Sequence, residues 1–203
     1  MRTHRLLVGF LLISMATLLI PAPAAGGPEL TFSLGGMVGD SFADVLQVRP
    51  SSLTEGFDTA PIFGGRLGWS AFPFAIEGSL MYSPSAISVA NAGSLDANLV
   101  YAEAELQILI LPGPITPFVA AGIGLHSMQL TAGNVPRETM VGYVFGGGLK
   151  AGFGKLGVRL DLKDHITPLD VAELGPEFLQ VVGIAENTNL HNIEFTGGIT
   201  IRF

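Results

Sequence analysis

No cysteine occurs anywhere in the chain, so a disulfide framework, thiol catalysis and a lipid-modified N-terminal cysteine are all excluded. Charge is scarce. Asp, Glu, Lys and Arg make up 13% of the residues, about half of the roughly 25% usual in globular proteins. Positive charge is the scarcer sign, with 10 Lys+Arg against 17 Asp+Glu, which disfavours a nucleic-acid partner. Long apolar runs are also missing. After the first two dozen residues no segment supplies the ~20 apolar residues that a membrane helix needs. There is one tryptophan, and none of the glycine-rich phosphate loops or zinc-type ligand spacings is present.

What is present in quantity is glycine (27), proline (13) and aliphatic and aromatic side chains (48% in all). Glycine and proline disfavour helix interiors and point to strands and turns. Arg2, His4 and Arg5 open the chain, and an apolar stretch runs from Leu6 to Ile20. The small-residue pattern Ala22-Pro23-Ala24 follows, which together reads as a secretory signal peptide over residues 1–24. Its removal takes away two of the ten positive residues and no acid. That leaves 8 Lys+Arg against 17 Asp+Glu, a formal net charge of −9 for residues 25–203.

The last stretch, LHNIEFTGGITIRF, shows the period that organises the rest. Ile193, Phe195, Gly197, Ile199, Ile201 and Phe203 form one set. Asn192, Glu194, Thr196, Gly198, Thr200 and Arg202 form the other. Apolar and polar residues alternate with a period of two, as in a strand whose faces meet different surroundings. The same alternation marks strands over about 30–38, 62–71, 74–82, 97–110, 117–129, 139–152 and 156–165. Connections between them are alternately long and short. The long ones are 39–61, 83–96, 131–138 and 166–189, the last with a short helix expected within 168–182. The short ones lie at Phe72-Pro73, at Leu111-Pro112-Gly113-Pro114 and at Phe153-Gly154-Lys155. Eight strands with short turns on one side and long loops on the other predict an all-β, antiparallel, up-and-down transmembrane barrel with both termini on the short-turn side. Phe195, Ile199, Ile201 and Phe203 would form the lipid-facing end of the closing strand.

The polar faces carry Arg66, Lys150, Arg159, Lys163 and Arg202 against Glu77, Glu103, Glu105, Asp161 and Glu194. The signs balance. An eight-stranded barrel is just wide enough for side chains to fill it, and unpaired charges there would carry a large desolvation cost. The expectation is a charge-paired, plugged lumen. The remaining acids, Asp40, Asp44, Glu55, Asp58, Glu138, Asp170, Glu173, Glu177 and Glu186, fall in or beside the long connections. Trp69, Phe72, Phe74, Phe118, Phe153 and Phe203 lie near the short turns, and Tyr82, Tyr101 and Tyr143 near the long loops. They predict two interfacial girdles.

The segments PFVAAGIG (117–124), FGGGLKAGFG (145–154) and VRLDLKDH (158–165), with the terminal ITIRF, resemble the small OmpA/OmpX-like barrels of the bacterial outer-membrane β-barrel superfamily. Glycines 122, 124, 146, 147 and 148 would let strands curve and bulky inward charges fit. The resemblance implies a Gram-negative outer-membrane location and a monomer held by membrane lipid. It further implies delivery to the barrel-assembly machinery through the C-terminal strand, a surface partner reached through the loops, and no cofactor. Members of the superfamily are structural anchors, adhesins, complement-resistance factors and a few enzymes.

Catalytic chemistry finds little support. His126-Ser127 is the one adjacent His/Ser pair, but neighbours in a strand point to opposite faces and cannot form a nucleophile–base pair. His165 with Asp161 and Asp164 would make a poor metal site, because Lys163 stands between His165 and Asp161. His191 reads as a solvated residue at the mouth of the last strand. No catalytic, cofactor or metal residues are expected. A non-enzymatic surface or structural barrel is the leading reading, a narrow ion or solute channel the second, and a lipid-modifying barrel enzyme the third. The barrel reading predicts that the protein will fractionate with outer membranes and resist SDS, so that unboiled and boiled samples migrate differently on a gel. A soluble periplasmic protein with no shift would contradict it.

Overall fold

The computed structural model describes residues 26–39, 59–89, 93–131, 136–170 and 188–203. The signal-peptide reading, the short helix expected within 168–182 and most of the loop acids therefore lie outside the described residues, apart from Pro168 and Leu169, which are strand. Eight strands follow in order: β1 (Gly27–Gly39), β2 (Ala60–Ala71), β3 (Phe74–Val89), β4 (Gly93–Leu109), β5 (Ile115–Leu130), β6 (Glu138–Phe153), β7 (Leu156–Leu169) and β8 (Thr188–Arg202). Each pairs antiparallel with its neighbours in sequence, and β8 returns to β1 to close the barrel. The seam runs without interruption from Glu29 opposite Arg202 to Gly39 opposite Asn192. No helix among the described residues is long and apolar enough to cross a membrane.

The alternation read from the sequence becomes two faces. Phe32, Leu34, Leu67, Trp69, Ile76, Leu80, Leu160, Leu162, Phe195, Ile199 and Phe203 are 49–72% exposed. Side chains of that size left open in a continuous ring need an apolar solvent around them. The opposite face holds Arg66, Glu77, Glu103, Glu105, Lys150, Arg159, Asp161, Lys163 and Glu194, all buried. This is inside-out relative to a water-soluble protein. On β3 the outward residues from Phe74 to Tyr82 span eight steps. At ~3.4 Å per residue and a tilt of ~40° that is a band of about 21 Å, close to the ~25 Å apolar height of outer-membrane barrels. Its upper border is polar, with Ser127 on β5, Thr139 on β6, Asp164 on β7 and His191 on β8, the last two joined at 2.8 Å.

Three expectations need correction. The 83–96 connection is mostly strand: β3 and β4 stay paired up to Val89 opposite Gly93. Its Ser, Ala and Asn residues read as a loop, yet a two-stranded ribbon continuing out of a barrel needs no apolar face of its own. The same holds for residues 166–169 and 188–189, which extend β7 and β8. His191, read as a solvated residue at the mouth of the last strand, lies within β8, is partly exposed and is hydrogen-bonded to Asp164. The girdle assignment also fails for two aromatics. Phe118 and Tyr101 are each 2% exposed and point inward, because both fall on the inward phase of their strands.

Placing a charge on the outward face tests the solvent that it meets. Leu160→Arg, near mid-height, is expected to destabilise the barrel by about 2–4 kcal/mol in lipid vesicles, and Ser127→Arg at the border by about 0–1 kcal/mol. Urea unfolding of the two variants beside the unmodified protein reads the difference.

Candidate functional site: the barrel interior

The interior is built in layers. At the short-turn end Phe118 packs with Ala75, Leu109 and Ala120 into a small apolar floor. Arg159 and Lys150 lie over the Phe118 ring, with Cζ 5.0 Å and Nζ 5.5 Å from its centroid, a cation–π arrangement. Beside this floor, Glu29 of β1 accepts from Lys150 Nζ at 3.1 Å, from Arg202 Nε at 3.0 Å and from Ser70 Oγ at 3.3 Å. Glu29 was missed in the sequence because its strand starts three residues earlier than the apolar alternation suggests. The flanking Gly27 and Pro28 hid that start.

The middle layer joins strands that are far apart around the barrel. Arg159 of β7 binds Asp161 through Nε at 2.8 Å. It also clamps Glu77 of β3 through both terminal nitrogens, Nη2 at 2.9 Å. Arg66 of β2 binds Glu194 of β8 and lies 3.6 Å from Glu105. Lys163 Nζ donates to both oxygens of Glu105, at 2.6 and 2.8 Å. The register sets like charges side by side, Glu77 opposite Glu105 and Lys150 opposite Arg159. Neighbouring like charges are destabilising, so each must find its partner across the lumen instead, and each does. All ten charges read from the sequence thus face inward; seven of them interlock with one another, while Lys150 and Arg202 pair with Glu29, and Glu103 pairs with two histidines.

A third layer lies nearer the long-loop end. Glu103 of β4 places Oε1 3.0 Å from His126 Nε2 of β5 and 2.8 Å from His165 Nδ1 of β7. The other nitrogen of His126 meets Thr167 Oγ1 at 2.6 Å, and that of His165 meets Glu194 Oε2 at 2.9 Å. Tyr101 lies against both imidazoles, with ring centroids 4.9 Å from His126 and 4.5 Å from His165, and accepts a hydrogen bond from Asn192 Nδ2 at 3.0 Å. Two glycines make this layer fit. A Cβ on Gly142 would stand 2.2 Å from the His126 ring, and one on Gly124 would stand 2.6 Å from Glu103 Cγ. By contrast Gly147, grouped with them in the sequence, faces outward and makes no room inside, since it pairs with Val119 and Leu162 on the outer face.

Sequence reasoning did not find the third layer. His126 and His165 were weighed with their chain neighbours, Ser127 and Asp161. The His126–Ser127 pair is indeed split, with His126 buried inside and Ser127 bonded outside to Thr139 at 3.2 Å. The usable signal was that Glu103, His126 and His165 each occupy the inward phase of their strands, the two histidines in the loop-side halves of β5 and β7.

No protein-family model matches the chain, and no curated protein matches it by sequence. Among solved structures, Neisserial surface protein A (NspA) is similar with a TM-score of 0.64 at 12% identity, covering 87% of this chain and 97% of that one. The fold is that of a small outer-membrane β-barrel. The N-terminal barrel domain of Pseudomonas aeruginosa OprF also matches, at 15% identity and a TM-score of 0.42 over 88% of this chain and 100% of that one. So does Ail, the attachment invasion locus protein of Yersinia pestis, at 10% identity and a TM-score of 0.43 over 86% and 99%.

Arg159 is the centre of the charge network, so its removal strands two buried carboxylates. Arg159→Met is expected to cost about 3–5 kcal/mol, and adding Glu77→Gln to recover part of the loss. Denaturant midpoints of the two variants measure both effects.

Proposed function

We propose that this chain is an integral outer-membrane protein whose barrel is a closed, non-enzymatic support for the long connections at one end. Residues 1–24 act as the secretory leader, and 25–203 form the barrel domain. The observation that carries the reading is the ion-pair network linking β1, β2, β3, β4, β6, β7 and β8 through the lumen. A solute path would have to break buried pairs, each of which leaves an uncompensated charge behind. The connections themselves are acidic in sequence. Residues 40–58 carry Asp40, Asp44, Glu55 and Asp58, and residues 171–187 carry Glu173, Glu177 and Glu186, with no Lys or Arg in the second segment and Arg49 alone in the first. An acidic crown of this kind suits a basic or cationic surface partner. Membrane lipid holds the barrel, the C-terminal strand with Phe195, Ile199, Ile201 and Phe203 is the part offered to the assembly machinery, and the protein works as a monomer.

A narrow channel is the competing reading, and a lipid-modifying enzyme is weaker because His126 and Ser127 face opposite ways. Purified barrel reconstituted in planar bilayers separates the first two. The closed reading expects no unitary conductance in the unmodified protein. Stable single-channel steps in the unmodified protein that vanish on boiling would transfer the function to a channel.

A further inference from the structure

The geometry points to a divalent metal site of the zinc class inside the barrel, with His126 Nε2, His165 Nδ1 and a Glu103 carboxylate oxygen as its ligands. These three atoms come from three different strands and lie within 4.8 Å of one another. The carboxylate oxygen is already 3.0 and 2.8 Å from the two nitrogens. Ligands at ~2.0–2.1 Å in a tetrahedral shell stand about 3.3 Å apart, so these edges are near the right length. Two imidazoles and one carboxylate form a common ligand set for zinc that keeps a fourth position open.

The outer contacts favour the same assignment. A metal-bound imidazole needs its second nitrogen protonated and donating to an acceptor, which fixes the tautomer and aims the lone pair. Both rings have such an acceptor in place: Thr167 Oγ1 for His126 Nδ1 and Glu194 Oε2 for His165 Nε2. Glu194 is held in turn by Arg66 and by Thr196 Oγ1 at 2.6 Å. The fourth position has a candidate surrounding as well. A cavity with room for about one water molecule borders Tyr101, His126, Thr167 and Asn192. Of the three ligand residues only His126 borders that cavity; Asn192 also lines it, and its Oδ1 is buried with no protein hydrogen-bond partner among the described residues. A metal-bound water would donate to it.

Charge balance supplies an independent reason. Among the described residues six buried carboxylates face the lumen, once Glu29 is added to the five read from the sequence, against the buried Arg66, Lys150, Arg159 and Lys163 and the part-buried Arg202. The interior is one positive charge short while the imidazoles are neutral. The deficit is sharpest at His165, whose two nitrogens both face carboxylates although a neutral ring has a single N–H. A divalent cation between His126, His165 and Glu103 covers this shortage with one charge over, which a bound hydroxide in the fourth position would cancel. Lys163, the charge that argues against a metal beside Asp161, is turned away to Glu105.

The test uses the full barrel folded from urea into detergent micelles with Zn2+ or Co2+ present, then desalted. One zinc per folded barrel is expected, and the cobalt form should show the visible absorption of a tetrahedral or five-coordinate nitrogen–oxygen site. His126→Gln should abolish retention. Thr167→Val removes only the outer contact and should weaken affinity about 10–100-fold. His191→Gln, at the outward pair with Asp164, should change nothing. Gel mobility of unboiled samples checks that each variant has folded, and should His126→Gln fail to fold, Thr167→Val and the cobalt spectrum decide. Folded wild-type protein that retains no metal overturns the assignment and leaves a proton as the interior's missing charge. Retention lost in His191→Gln but kept in Thr167→Val overturns it equally.

Discussion

Closure of β1 against β8 is the constraint on which everything else depends. In hydrocarbon a backbone N–H or C=O without a partner costs several kcal/mol, and no water is there to take the bond. An open eight-stranded sheet would present two such edges. The continuous seam from Glu29 to Gly39 removes both. Once the backbone is closed, the alternation of side chains has no freedom left: one phase must face the surrounding solvent and the other must fill the lumen. The outward phase is apolar on every strand because lipid is what it meets. The inward phase can be charged because an enclosed space lets each charge reach an opposite one.

The enclosed space is narrow, and its contents are correspondingly ordered. Phe118 and its small apolar neighbours seal the short-turn end, and the Arg159 and Lys150 cations rest on that ring. Above them the carboxylates and cations interlock, and the two histidines and Tyr101 stack nearer the loops. Residues without side chains stand where the bulky groups need room, as Gly142 does beside His126. Barrel interior and barrel wall are therefore one design, since changing a glycine in the wall displaces a charged or aromatic group inside.

Much of this was legible in the sequence, and the parts that were not share a cause. Strand phase is local, so the inward placement of Arg66, Glu77, Glu103, Glu105, Lys150, Arg159, Asp161, Lys163, Glu194 and Arg202 followed from alternation alone. So did the strand count and the order of turns. Pairing between strands is not local. Nothing in the chain near His165 shows that Glu103 and His126 will meet it, because the three residues are 23 to 62 positions apart. Composition misled where serines and alanines read as a loop: the β3–β4 ribbon stays paired to Val89 and Gly93. Aromatic character misled in the same way at Tyr101 and Phe118, where residue type suggested an interface and strand phase decided for the interior.

Several of the pairs that fill the lumen are also widely spaced along the chain. Arg66 and Glu194 are 128 residues apart, Glu29 and Lys150 121, and Arg159 and Glu77 82. The β3–β4 hairpin buries Glu77, Glu103 and Glu105 with no Lys or Arg beside them, and the β6–β7 hairpin buries Lys150, Arg159 and Lys163 against Asp161. A partly assembled sheet entering a bilayer would bring bare carboxylates and guanidinium groups with it, and the balancing partner would still be several strands away. Insertion strand by strand would carry those unpaired charges into hydrocarbon, which favours entry of a nearly finished barrel. The late formation of long-range contacts also makes such assembly slow. In this way the arrangement of charges works as an assembly checkpoint: it gives the completed barrel a stability that none of its fragments can share.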